Sequence, residues 1–200
     1  MKKFLIYLFA MTIGLIGLSS CSEEASEEEE YANWQERNEQ FLATLVNDSL
    51  KQTGWQRIKK YSLDQSVEGS VSDYVYVKEI LKGESSESPL FTDSVRVVYQ
   101  GRLIPSKSYP KGYVFDGTVY GTYSSKTAYT SRQKVSGMLP GYTTALMNMH
   151  KGDYWRVYIP CELAYGSSGN GSKIPGYSVL VFDLTLLDIS PIGEDMKPWK

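Results

Sequence analysis

IPCELAYGSSGNGSKIPGYSVLVFDLTLLDI, residues 159–189, decides how this chain is read. It follows directly on YWRVYIP (154–160), whose alternating apolar residues predict a strand. Tyr165 then opens onto Gly166–Lys173, a Gly- and Ser-rich run with hardly a charge, which predicts a loop. Ile174 and Pro175 close that loop, and Tyr177–Ile189 is the longest predicted strand, with Val179, Val181 and Leu186 expected among its buried positions. Within this loop, GNGSK (169–173) superficially suggests a phosphate cradle. It lacks the P-loop spacing, and Ile-Pro and a strand follow where such a cradle needs a helix.

Outward from this stretch the signal alternates between strand and turn. WQRIKKYSL (55–63), DYVYVKEIL (73–81) and SVRVVYQGRLI (94–104) read as strands. In the second, Tyr74, Tyr76 and Lys78 alternate with valines and a glutamate, and the tyrosines are expected on the wetter face. In the third, Val95, Val97 and Tyr99 share a face. KGESSESP (82–89) and Pro105–Gly112 are connections, YVFDG (113–117) is a short extended piece, and the tyrosine-rich residues 118–133 read as a loop. KVSGMLPGYTTALMNMHKGD (134–153) holds the one helix of this half, with Pro140 in its first turn, Leu146 and Met149 facing inward, and Gly152 as its stop. Upstream, residues 31–53 form an amphipathic helix: Trp34, Phe41 and Leu45 make one row, Leu42, Val46 and Leu50 the next, and Gly54 ends it. A short helix is marginal in water alone, which favours packing on its own domain over a dimerisation arm. About five antiparallel strands bracketing a helix give an α+β class, not an alternating βαβ series.

The N-terminus carries targeting information. Lys2 and Lys3 precede an apolar run, Phe4–Leu18, which is short for a transmembrane helix and suits the core of a signal peptide (residues 1–20). LSSC then places small residues before Cys21, which resembles the lipobox of bacterial lipoproteins and implies that Cys21 is the lipidation site and the membrane anchor. Residues 21–30, with six glutamates, are expected as a solvated acidic tether, similar also to a surface-export signal of some Gram-negative lipoproteins. Setting aside Lys2, Lys3 and those glutamates leaves 19 basic against 17 acidic residues, about +2, with no basic excess to suggest nucleic acid.

Conventional catalytic machinery is scarce. The single histidine, His150, sits where a helix runs into a turn and reads as a surface residue, so a Ser-His-Asp or Cys-His site has little to work with. Cys161 is the one cysteine besides Cys21 and reads as core filler, so no disulfide framework exists. Metal-ligand spacings of His and Cys are absent. Tyrosine, in contrast, occurs 16 times.

Four ordered pieces between Val95 and Ile189 resemble the FKBP-type peptidyl-prolyl isomerases. VRVVYQGRL (95–103) is similar to that family's V-x-V-x-Y-x-G-x-L strand, and VFDGT (114–118) to its F-D-[ST]-[ST] segment. GMLPGYTTALMNMHKGD (137–153) resembles V-I-x-G-W-x-x-A-L-x-x-M-x-x-G, and residues 159–189 resemble I-P-x-x-L-A-Y-G-x-x-G, I-P and L-x-F-x-V-x-L-L. The resemblance covers roughly half the chain and implies a curled antiparallel sheet wrapped around one short helix, at residues 86–190, preceded by the N-terminal helix and leading strands (31–85) and followed by a tail (191–200). It implies prolyl isomerisation in an apolar hollow, with Tyr99, Asp116, Tyr165 and Phe182 as catalytic residues and Phe115, Tyr129, Met138, Leu139, Tyr142 and Ile174 as substrate-binding residues. By the same resemblance the Tyr165 hydroxyl and the Leu139 N–H bind substrate carbonyls, Asp116 sits near the twisting amide, Tyr142 is the floor, and Gly166–Lys173 is a flap. Proline-containing polypeptides are the implied partners and macrolides the implied inhibitors, with no cofactor, metal or nucleic acid, in the cell envelope at the outer membrane.

Two departures from the family pattern bear on the pocket. The floor, commonly Trp, is Tyr142, whose hydroxyl requires a partner beneath the ring and predicts a shallower or more polar hollow. The segment between Asp116 and Gly137 is longer than the family pattern; Tyr129 stands in for the aromatic wall there, and Lys126 or Arg132 is the expected partner of Asp116. These departures favour, as the alternative function, a catalytically weak binding module or chaperone on the same fold.

Overall fold

The computed structural model describes residues 27–198. The signal segment and Cys21 lie outside the described residues. In chain order the elements are α1 (Glu27–Glu30), α2 (Trp34–Asn47), β1 (Trp55–Lys59), β2 (Tyr74–Leu81), β3 (Ser94–Arg102), β4 (Val114–Gly117), β5 (Ser131–Lys134), α3 (Pro140–Asn148), β6 (Tyr154–Ile159) and β7 (Leu180–Ser190). The strands form one seven-stranded antiparallel sheet in the order β1-β2-β6-β7-β3-β4, with β5 also on β3. The two strands beyond the expected five are β4, the short extended piece, and β5, which grows out of the predicted loop. They divide one edge of β3 between them: β5 pairs with Ser94–Val97 and β4 with Gln100–Arg102.

Alternation in β6 sends Trp155, Val157 and Ile159 to one face, where α3 lies across the sheet. Ala145, Leu146 and Met149 are fully buried there, among Val75, Val77, Val95 and Leu184. Leu146, Met149 and the valines each contribute about 1.5–3 kcal/mol on burial. Gly141 allows the close approach: a Cβ at that position would lie 2.3 Å from Ile159 Cγ2. The helix ends at Asn148, before the Gly152 that marks its stop in the sequence. The buried Asp153 carboxylate accepts from the N–H groups of His150 (2.8 Å) and Gly83 (2.6 Å) and draws the chain into a turn. His150 stays partly exposed beside Asp153.

The tyrosines of β2 are not on a wet face. Tyr74 and Tyr76 are 6% and 1% exposed, because the segment between β1 and β2 folds over them. The Tyr76 hydroxyl donates to the Val71 carbonyl (2.7 Å), and Arg57 lies 4.6 Å from the centre of the Tyr74 ring. Strand β1 is shorter than the predicted 55–63, since the chain turns at Lys60–Leu63. Strand β7 begins at Leu180, not Tyr177, for a related reason. Tyr177 has φ 62° and its N–H donates to Gly166 O (2.9 Å), so residues 177–179 close the base of the 166–173 loop.

Helix α2 packs on its own domain. Trp34 is buried and its indole N–H donates to Ser178 Oγ (2.9 Å). Asn38, one turn on, is 2% exposed; its amide donates to Trp34 O (2.7 Å) and its Oδ1 accepts from Val179 N–H (2.8 Å). Phe41 reaches Tyr158, with ring centres 6.0 Å apart, and Leu45 is buried. The acidic stretch is not wholly solvated either. Glu30 is 4% exposed and accepts from Ser108 N–H (3.0 Å), while Glu29 remains exposed at 3.8 Å from Lys107. Burial raises the Glu30 pKa, but the hydrogen bonds from Ser106 and Ser108 outweigh it and hold the carboxyl below the usual range. At the other end, Arg96 and Arg132 hold the tail through the carbonyls of Lys197 and Met196.

Asn38→Ala removes both anchoring bonds and leaves a buried amide unpaired, so thermal or denaturant unfolding is expected to report a loss of about 1–3 kcal/mol. Asp73 gives a pH signature. Hydrogen bonds from Lys60 first, then from Ser70, hold its pKa at about 2 against an ordinary 3.8. A lowered folded-state pKa contributes stability above the unfolded value that is lost as pH falls through the folded one. Melting temperature is therefore expected to fall less steeply from pH 4 to pH 2 in Asp73→Asn than in the unmodified chain.

Candidate active site

The site is assembled at the open side of the sheet by β3, β4, β7 and the start of α3. In the ladder, Gly101 of β3 stands opposite Phe182 of β7 on one side and Asp116 of β4 on the other. A Cβ at Gly101 would lie 2.7 Å from both the Phe115 and Phe182 rings, so only glycine lets them close over the strand. Phe182 then meets Tyr142 (ring centres 5.0 Å, 76° between planes), Phe115 (5.7 Å, 85°) and Tyr99 (6.4 Å, 41°). Tyr99 also meets Tyr142 edge-on at 6.3 Å. The near-perpendicular contacts of Tyr142 with Phe182, Phe115 with Phe182 and Tyr99 with Tyr142 place positive ring edges on negative ring faces, while Tyr99 is tilted against Phe182.

Tyr142, Phe182 and Ile174 are 4–5% exposed and form a floor. Tyr99, Phe115, Met138, Leu139 and Tyr165 are half-buried and pack around the same core. Ile174 is turned inward by a tight reversal, in which Asn170 N–H donates to Ile174 O (2.8 Å) and Ile174 N–H returns to Asn170 O (3.3 Å). The Leu139 N–H and the Tyr165 hydroxyl, the two donors at the rim, make no hydrogen bond to any described residue. Tyr129 is the one predicted site residue not brought to this cluster: it stands 88% exposed in the loop between β4 and β5. Tyr120, which sequence reasoning did not single out, is 82% exposed on the same loop and close enough to Tyr99 to raise its pKa.

Among the described residues no cation pairs with Asp116. Its Oδ2 accepts from the Tyr99 hydroxyl (2.8 Å) and its Oδ1 from Gly117 N–H (2.8 Å). Neither expected partner is used: Lys126 is exposed, and Arg132 donates to Met196 O (3.1 Å). Burial first, and then the Asp116 carboxylate, push the Tyr99 hydroxyl well above the phenol range, so it remains a proton donor. Burial also raises the pKa of the Tyr142 hydroxyl, which, like the Oε1 of Gln133, is buried without a hydrogen-bond partner among the described residues. Gln133 is near enough to oppose that rise. Its signal in the sequence was a polar side chain at the inward position of β5, between outward Arg132 and Lys134. Cys161 is half-buried, and burial pushes its thiol up to about 11, away from nucleophilic use. The arrangement is therefore an apolar ring-lined surface with two uncommitted donors at its rim and one oriented carboxylate.

The FKBP-type peptidyl-prolyl cis-trans isomerase family matches residues 85–187, just over half of the chain. The chain is 33% identical over 141 residues to the FKBP-type peptidyl-prolyl cis-trans isomerase FkpA of Escherichia coli strain K12, covering 70% of this chain and 47% of that protein. It is 42% identical over 101 residues to the FKBP-type 22 kDa peptidyl-prolyl cis-trans isomerase of the same strain, covering 50% of this chain and 43% of the relative. It thus spans about half the length of the curated relatives it matches. A crystal structure of a peptidyl-prolyl cis-trans isomerase from Pseudomonas syringae pv. tomato superposes with a TM-score of 0.57 at 26% identity, over 78% of this chain and 96% of that one. The ordered motifs and the antiparallel sheet packed on one helix agree with these likenesses: the chain belongs to the FKBP-type peptidyl-prolyl cis-trans isomerase family.

Proposed function

We propose that this protein accelerates the cis-trans isomerisation of Xaa-Pro bonds in polypeptides outside the cytoplasm. The observation that carries the reading is the four-ring cluster of Tyr99, Phe115, Tyr142 and Phe182, beside a free Leu139 N–H and a free Tyr165 hydroxyl.

Prolyl isomerisation breaks no covalent bond; its barrier, about 18–20 kcal/mol, is loss of amide resonance. A planar amide is strongly dipolar and a twisted one less so. An apolar hollow therefore disfavours the planar ground state relative to the twisted transition state. In this reading the prolyl ring rests on Tyr142, Phe182 and Ile174, with Phe115 and Met138 as walls. The Leu139 N–H and Tyr165 hydroxyl fix the flanking carbonyls while the bond between them rotates. Tyr99 orients Asp116 towards the twisting amide. A millionfold acceleration would require about 8 kcal/mol of differential stabilisation, and in this reading the rings and donors contribute to it without a nucleophile. The same hollow is expected to take macrolide inhibitors. Cys21, as the lipidated residue after a signal peptide, would hold the domain at the membrane of the cell envelope. The exposed Tyr120 and Tyr129 support a second activity, holding unfolded clients through a ring-bearing loop.

In a proline-peptide isomerisation assay, Phe182→Ala and Asp116→Val are expected to lower kcat/KM by about tenfold or more, the former by removing a ring that touches three others. The circular-dichroism spectrum should be unchanged, and a full-length chain with no rate above buffer would refute the isomerase reading. With a raised Tyr99 hydroxyl and no histidine in the ring cluster, kcat/KM is expected to stay level from about pH 6 to 9. Client holding predicts suppression of aggregation that survives Phe182→Ala and is lost on replacing Tyr120 and Tyr129. Metabolic labelling with a radioactive fatty acid tests the anchor: label is expected in the unmodified chain and absent from Cys21→Ala.

A further inference from the structure

The face of the sheet turned away from the ring cluster carries a second concavity. Strand alternation turns Arg102, Arg156 and Asp183 to that face, next to inward Gly101, Val157 and Phe182. Two cavities there, about 520 and 460 Å³, are both bordered by Arg102, Lys111 and Arg156. Asp183 is the only carboxylate in their lining and is fully committed, accepting from Arg102 Nη2 (2.6 Å), Arg156 Nε (2.8 Å) and the Tyr154 hydroxyl (3.0 Å). Three cations therefore face one carboxylate. The Arg102 side chain is only 15% exposed, where solvent and salt screen its charge weakly, while Lys111 is exposed and makes no ion pair among the described residues. The second cavity adds an apolar floor from Phe41, Leu103 and Tyr158. The loop that closes this cavity, Pro105–Gly112, already receives one acidic side chain, Glu30, on Ser108 N–H.

We infer that this groove binds an acidic segment of a partner polypeptide. Its carboxylates meet Arg102, Lys111 and Arg156, and an adjoining aliphatic or aromatic side chain rests on Phe41 and Tyr158. A net positive charge over an apolar floor selects such a segment over either a purely apolar peptide or a free anion. The site lies opposite the isomerase hollow and is independent of it.

The test is fluorescence anisotropy of a labelled peptide of alternating Glu and Leu, titrated with the full-length chain at low ionic strength. Saturable binding is expected, weakened about fivefold or more in Lys111→Glu, weakened also in Phe41→Ala, and weakened when salt is raised to about 0.3 M. Prolyl isomerisation by Lys111→Glu should be unchanged, which separates this site from the hollow. Binding indifferent to both substitutions would overturn the inference. Displacement by inorganic phosphate as effective as by unlabelled peptide, at matched ionic strength, would reduce it to a free-anion site and also overturn it. Tighter binding when Glu23, Glu24 and Glu27 are changed to Gln would assign the groove to the chain's own acidic run and defeat the case for a partner.

Discussion

The contact of Phe182 with three other rings depends on an atom that is not there. Gly101 leaves the surface of β3 bare where Phe115 and Phe182 converge, and a single methyl would occupy the space of both ring edges. Because those rings can close over the strand, Tyr142 at the start of α3 meets Phe182 directly, and Tyr99 packs against both. Helix, sheet and site thus share one set of contacts. Gly141 has the matching role on the helix, where a missing side chain lets α3 settle on Ile159.

The two faces of the same strands do different work. Phe182 and Asp183 are adjacent, one in the apolar core and the other holding two arginines on the far face. Asp183 is completely buried, and removing one partner from such a cluster generally costs about 3–5 kcal/mol, because a charge is left without compensation. This cluster braces β3, β6 and β7 behind the rings. The leading helix braces a third place: Trp34 and Asn38 bind Ser178 and Val179, just where the chain leaves the loop and enters β7. A segment distant in sequence therefore fixes one end of the loop that carries Tyr165 and Ile174.

Much of this was legible in the residues. Alternation in 154–160 and the apolar run of 177–189 gave the two central strands, and Pro140 marked the start of α3. Ordered motifs assigned nine of the ten pocket positions to a region where the structure brings them together. What escaped depended on tertiary contact. Nothing local tells that residues 60–73 cover Tyr74 and Tyr76, or that a glutamate in a run of glutamates is buried against Ser108. Asn38 reads as a polar interruption of an apolar stripe until its partner on Val179 is seen. Tyr129 was a stand-in for the aromatic wall in a segment longer than the family pattern, where no motif fixes a position. Tyr142 announced a buried hydroxyl in need of a partner, but Gln133 near it shows only through the register of β5 on β3.

Whether a prolyl side chain rests on this set of rings is read out by isotope-edited nuclear Overhauser measurements between a proline-containing peptide and the labelled protein. Contacts are expected from the prolyl ring protons to Tyr99, Tyr142 and Phe182, with exchange cross-peaks between cis and trans forms of the bound peptide. Prolyl contacts found only elsewhere on the surface, or none at the rings under saturating peptide, would contradict this placement.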